Sequence, residues 1–226
     1  MERSVSVSRE RRVAKPAVAP AAPSISPLLR PANLPGDDFE DEKPMRGIGF
    51  DSLDLSASAA YATDVEQCRF SGVKMPSTIR QATLINTEFS VCDLANVQAD
   101  ESSLLQSRVS TSRMTGMSWI RGVLRDVVVE SSRANLASFR YSRLKTVVFK
   151  DCELQQADFQ RAEFRSVLFE SCDLSGAHFT GADLQHNVRF EDCVLANITG
   201  VASLKGATIQ GGDLFGLAAS LAREAG

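Results

Sequence analysis

Apolar residues recur along this chain with a period of five, most clearly between Cys152 and Leu184. There Leu154, Phe159, Phe164, Phe169, Leu174, Phe179 and Leu184 hold one fixed position, and Cys152, Ala157, Ala162, Val167, Cys172, Ala177 and Ala182 lie two residues before them. On an α-helix, at about 100° per residue, large groups spaced by five would advance about 140° each time and spiral around the rod. On a straight strand an odd spacing would send successive groups to opposite faces. Neither arrangement buries one face. A chain that turns once every five residues does, because each side then aims one large and one small residue at a common axis. Four such sides close a coil, and coils that bury their faces only against one another form a stacked solenoid.

The phase can be followed through most of the chain. Phe50, Leu55, Ala60, Val65, Phe70 and Met75 give an irregular first set of beats, with large residues such as Ile48 and Leu53 at the small position. A one-residue shift is expected at Pro76, since proline suits a corner where no ladder hydrogen bond is lost. From Ile79 the beat runs through Leu84, Phe89, Leu94, Ala99, Leu104, Val109, Met114, Trp119, Leu124, Val129, Ala134, Phe139, Leu144 and Phe149 to Leu184. Ala134 is therefore a centre and Leu136 points outward, although Ala134-Asn135-Leu136 looks like a repeat by eye. Ala99 lies one coil below Trp119, so the tryptophan is expected to fill space that the alanine leaves. Met117, bulky at a small position, predicts local widening or a bulge. One residue is inserted near Asn187 before Phe190 and Leu195 resume the beat, and a further slip precedes Leu204, Ile209 and Leu214. Leu214, Leu217 and Leu221 then fall at helical spacing behind Asp213, a suitable N-cap, which predicts a terminal helix covering the open end.

The triplets Ala157-Asp158-Phe159, Ala162-Glu163-Phe164, Ala182-Asp183-Leu184, Cys92-Asp93-Leu94, Cys152-Glu153-Leu154 and Cys172-Asp173-Leu174 resemble the pentapeptide-repeat family, whose consensus is roughly Ala-Asp/Asn-Leu-x-x. The resemblance covers most of the chain. It implies an all-β solenoid in the form of a right-handed quadrilateral β-helix, with a non-enzymatic role in protein interaction or scaffolding. Some members protect a type II topoisomerase (gyrase) by presenting a DNA-like rod of negative charge, which is the alternative reading. In relatives the terminal helix can dimerise, so a homodimer through the C-terminal helix is a further option. The expected organisation is a disordered Pro/Ala/Ser-rich arm at 1–45, a solenoid at 46–212 and a capping helix at 213–226. The arm starts basic, at Arg9, Arg11, Arg12 and Lys15, and ends acidic, at Asp37, Asp38, Glu40, Asp41 and Glu42. A solvated tail of this composition buries nothing.

Composition narrows function mainly by exclusion. A formal net charge of -3 over 226 residues gives no global attraction for nucleic acid. No apolar run approaches the roughly 18 residues of a membrane span, and no secretory signal opens the chain, so a cytoplasmic location is expected. Five cysteines without CxxC spacing weigh against a disulfide framework or a zinc site. Cys92, Cys152 and Cys172, and Cys193 after the insertion, share one inward column, where a thiol serves as a small hydrophobe. No nucleophile, phosphate-loop or metalloprotease motif is present. His178 and His186 should both face outward. No enzyme activity and no cofactor are expected.

Function on a solenoid resides in its outward columns. Val128, Val148 and Leu168 form an apolar stripe, beside Glu130, Lys150 and Glu170 of alternating sign. Arg125, Lys145 and Arg165 stack in a basic column, with Arg121, Arg140, Arg143 and Arg161 near the adjoining corner. These two sets are the candidate partner contacts, for a protein partner of unspecified identity. In another column Asp93, Glu153 and Asp173 are interrupted by Arg113 and Arg133, a departure from the unbroken acidic row that DNA mimicry needs.

Overall fold

The computed structural model describes residues 18–211 and 214–225. It is a parallel β-solenoid. The long strands Ser103–Ser110, Val123–Glu130, Arg143–Lys150 and Glu163–Glu170 lie side by side, and on both flanks of the corner in each strand residues pair with those twenty positions on, as Leu104 with Leu124 and Leu124 with Leu144. Shorter bridges complete the other two sides, running Gln98 to Ser118 to Ser138 to Asp158 and Arg113 to Arg133 to Glu153 to Asp173.

The five-residue side has a backbone cause. The four corners of one coil, Tyr141, Thr146, Asp151 and Gln156, and Arg161 at the first corner of the next, all have positive φ, between 51° and 59°. A left-handed residue turns the chain sharply, and its recurrence every fifth position makes the corners. Side chains other than Gly, Asn and Asp resist that conformation. Here the ladder bonds above and below each corner hold it, as when Tyr141 N–H donates to Gln160 O at 3.0 Å and Gln156 N–H to Ser175 O at 2.9 Å.

The phase read from sequence is the phase observed. Every predicted centre from Ile79 to Leu184 is buried, and Leu136 is 57% exposed. Phenylalanines stack at the spacing of the coils: Phe139 and Phe159 at 5.2 Å between ring centroids, Phe149 and Phe169 at 5.0 Å, Phe169 and Phe190 at 4.9 Å, all within 7° of parallel. Where a small inward position carries a thiol or hydroxyl in place of alanine or valine, the group is satisfied locally. Ser132 Oγ accepts from Ser112 N at 3.0 Å and donates to Glu130 O at 2.8 Å. Cys152 Sγ donates to Lys150 O at 3.2 Å in the same manner.

Register changes fall where expected. Phe70 pairs with Phe89, nineteen residues on, so one residue is lost across Pro76. Arg165 pairs with His186, twenty-one on, after a shift that follows Glu163. The slip before Leu204 is a 3-10 turn, Val201–Leu204. Met117 differs from expectation: the ladder through Ser118 continues without a bulge. Looser packing shows instead as an enclosed apolar cavity of about 30 Å³, lined by Met117, Ala99 and Trp119 among others.

The N-terminal segment also differs. Residues 1–17 of the expected arm lie outside the described residues, but from residue 18 the chain lies along the first coils. Arg30–Pro31 pairs in parallel with Ile48 and Gly49. Asp37 accepts from both Arg30 guanidinium nitrogens at 2.7 Å and from Asn33 N–H at 2.7 Å, closing a loop. That loop delivers Phe39, 3% exposed, onto the open end of the Phe50 and Phe70 stack, at 6.5 and 6.2 Å. A solenoid end exposes apolar side chains and unpaired backbone groups; this segment covers both. At the other end the helix Leu214–Ala225 seats Leu217 on the core, and Arg223 Nη1 donates to Asn197 Oδ1 at 3.2 Å. Leu221 stays 48% exposed and Phe215 89% exposed, so the helix covers the end only in part. The expected N-cap, Asp213, lies outside the described residues.

Candidate functional site

The two candidate sets occupy adjoining sides of the same three coils, separated by the corner residues Asp126, Thr146 and Ser166. On one side Arg125, Lys145 and Arg165 are direct ladder partners and all are exposed. The next outward column of that side is Val123, Arg143, Glu163 and Asp183. Leu105 and His186 bound the basic column at its two ends. Between the columns lies a shallow cleft of about 360 Å³, lined by Val123, Arg125, Arg143, Leu144, Lys145, Glu163 and Arg165.

Charge pairing makes this side unusual. Elsewhere a cation commonly meets an acid one coil away: Arg113 with Asp93 at 2.9 Å, Lys150 with Glu170 at 2.7 Å, Arg69 with Glu88 at 2.8 Å, Arg133 with Glu153 at 3.4 Å. These pairs hold Asp93 below the usual carboxylate range, chiefly through the Arg113 hydrogen bond, and raise Arg113 and Lys150. Among the described residues Arg125 has only its sequence neighbour Asp126, at 4.0 Å. Among the described residues Arg143, Lys145 and Arg165 make no ion pair within 4.0 Å. Like charges directly opposite on a ladder are unfavourable; Arg113 and Arg133 also face each other, but each has an acid on its other flank, Asp93 and Glu153, whereas the stack of Arg125, Lys145 and Arg165 has none within the column.

The apolar set is narrower than its sequence suggests. Val128 and Val148 are half-buried, and Leu168 is 8% exposed. Arg108 pairs in register with Val128, and Arg189 with Leu168, so guanidinium side chains close the stripe at both ends. Arg108 is held by Glu130 and Arg189 by Glu191, the latter at 3.2 Å. Leu168 is therefore mostly core, and the accessible apolar surface is the pair of valines.

At the corner beside the basic column, Tyr141 gathers three arginines whose guanidinium carbons lie 5.7 to 5.9 Å from its ring centroid: Arg121, Arg140 and Arg161. The sequence marks these arginines as a cluster but not their common centre. The available signal is that Arg121, Tyr141 and Arg161 are twenty apart and so stack at one corner.

Other chemistry is dispersed. His178 and His186 face outward, His178 Nδ1 lying 2.7 Å from Thr199 Oγ1. Among the described residues no three His, Cys, Asp or Glu side chains group as metal ligands, and no helix is long and apolar enough to cross a membrane. All five cysteines are buried and free. Burial pushes the Cys68 and Cys92 thiols up; interaction with the neighbouring Cys152 and Cys193 thiols, together with burial, raises Cys172 and lowers those two, while Cys172 Sγ donates to Phe149 O at 3.4 Å and Glu170 O at 3.3 Å. The column Asp93, Arg113, Arg133, Glu153, Asp173 and Val194 carries mixed charge along its whole length.

Compared with known proteins, residues 133–199 match the model of the pentapeptide repeat region. A search of curated proteins finds no match. Among solved structures, the chain is similar to a trypsin-treated form of QnrB1, a plasmid-mediated fluoroquinolone resistance protein, at 18% identity over 82% of this chain and 97% of that one, with a TM-score of 0.39. It is also similar to HetL, a pentapeptide repeat protein involved in heterocyst differentiation regulation from the cyanobacterium Nostoc sp. strain PCC 7120, at 15% identity over 74% of this chain and 87% of that one, with a TM-score of 0.29.

Proposed function

We propose that this chain, a pentapeptide-repeat protein, is a non-enzymatic scaffold that binds another protein through the outward sides of its middle coils. The observation that carries the reading is the exposed stack of Arg125, Lys145 and Arg165, unmatched by acids on neighbouring coils and adjoined by Val128 and Val148. Cations left without an acid partner on a neighbouring coil, on a backbone fixed by ladder bonds on both flanks, form a pre-organised surface that gains more from an incoming acidic group than a flexible one would. The filled interior supports a non-catalytic role, since catalysis needs convergent groups in a concavity and the centres here are core. The contact set is Arg125, Lys145 and Arg165 with Val128 and Val148, and Leu168 contributes at its edge. The setting is the cytoplasm, where the buried thiols stay reduced.

The test is affinity capture from a cell extract with the full chain and with a Lys145→Glu, Arg165→Glu variant of unchanged circular dichroism. A protein retained by the parent and lost from the variant supports the reading. Retention of the same proteins by both overturns it.

A further inference from the structure

We infer that the cleft between Arg125, Arg143, Lys145 and Arg165 receives a phosphate group borne by a side chain of the partner protein. The inference rests on the proposed contact side and names the chemistry of what docks there. Four cations line one concavity of about 360 Å³, against a single carboxylate, Glu163. Stacked side chains stand about 4.8 Å apart, the separation of neighbouring strands. A phosphate carries a charge of about -1.5 to -2 and three acceptor oxygens at one point, so it can accept from two coils at once. A carboxylate is planar and carries half that charge. Guanidinium forks match phosphate oxygens in pairs, and the lysine adds a compact point charge. The floor beneath is Leu144, 1% exposed, which excludes water from below.

The limits of the column set the size of the ligand. Leu105 precedes Arg125 and His186 follows Arg165, so the positive track crosses two ladder spacings, about 10 Å. That suits one phosphate or two neighbouring ones. A nucleic-acid backbone, with charge repeating along every few ångströms of strand, would call for a track continuing past both ends.

Isothermal titration of the full chain tests this, with inorganic phosphate, with N-acetyl-phosphoserine amide, and with vesicles of phosphatidylcholine carrying a phosphoinositide, all at ionic strength matched with chloride. Saturable binding of both small probes at one site is expected, weakened about ten-fold or more in Lys145→Met and in Arg165→Gln, since a charged hydrogen bond contributes about 1.5–3 kcal/mol. Lys150→Met, on the adjoining side, should leave binding unchanged. Equal heats for phosphate and chloride, or equal affinity in parent and variants, would overturn the inference, as would binding to the vesicles with none to phosphoserine. If phosphate fails while affinity capture is still lost in the Lys145→Glu, Arg165→Glu variant, the inference falls and the protein-contact reading stands. If capture survives in that variant, both fall.

Discussion

The indole of Trp119 occupies the space that a Cβ on Gly122 would need: such an atom would lie 2.2 Å from both Cδ1 and Nε1 of the ring and 2.7 Å from Ser102 O. Gly122 stands at a small inward position where the coils on either side carry Ser102 and Ser142, and Ala82 and Ala162 lie beyond them. The widest side chain of the core is thus accommodated by removing the side chain three residues on. Gly122→Ala is expected to cost about 1–3 kcal/mol, the usual scale of overpacking, because the carbonyl cannot yield as a flexible side chain would. Chemical denaturation measures the loss, and the penalty should shrink when Trp119 is also replaced by leucine.

Trp119→Ala is expected to destabilise by about 3–5 kcal/mol. The ring bridges the gap over Ala99, and the remaining void is already about 30 Å³. Trp119→Phe should cost less, about 1–2 kcal/mol, since it keeps most of the burial and removes an indole N–H that is buried without a hydrogen-bond partner. Equal losses for the two variants would place the ring outside the core.

The five thiols should resist alkylation in the native protein and all react in denaturant. All five are buried; the thiols of Cys68, Cys92 and Cys172 are also raised, which disfavours the reactive thiolate, whereas Cys152 and Cys193 are lowered by the neighbouring Cys172 and owe their protection to burial alone. Mass spectrometry after iodoacetamide, with and without denaturant, checks this. Rapid native labelling of Cys172 would contradict its place in the column.

Acid should release the segment that covers the N-terminal end. The Arg30 hydrogen bond, aided by Asn33 N–H, holds Asp37 down at about 2, below its ordinary 3.8. A depressed carboxylate stabilises the folded form fully above its ordinary value, and that stabilisation is lost as pH falls through about 2. The Asn33 amide resonance should therefore move with a midpoint near pH 2, and not near 3.8, in NMR spectra. In Asp37→Asn the movement should vanish.

The coil was legible because its signal is periodic: Ala134 and Leu136 could be assigned to inside and outside against the apparent motif only because beats on both sides fixed the phase. Pro76 and the insertion near Asn187 announced themselves as breaks in that count. Residues 18–45 were not legible, because Phe39 docks through a single turn made by Arg30 and Asp37, with no repetition to mark it. Column membership likewise revealed the stack of Arg125, Lys145 and Arg165 but not its lack of acid partners, which depends on side-chain reach. Leu168 was misread as open because its burial comes with Arg189, displaced by the insertion into the position above it.

Lys145 and Lys150 provide the most direct test of the proposed contact side. They lie five residues apart on adjoining sides of one coil; Lys150 is tied to Glu170 at 2.7 Å, and Lys145 makes no ion pair among the described residues. Amine acetylation read by mass spectrometry, in the free protein and in the captured complex, should show Lys145 protected on binding and Lys150 labelled equally in both. Labelling of Lys145 that is unchanged in the complex would contradict the account.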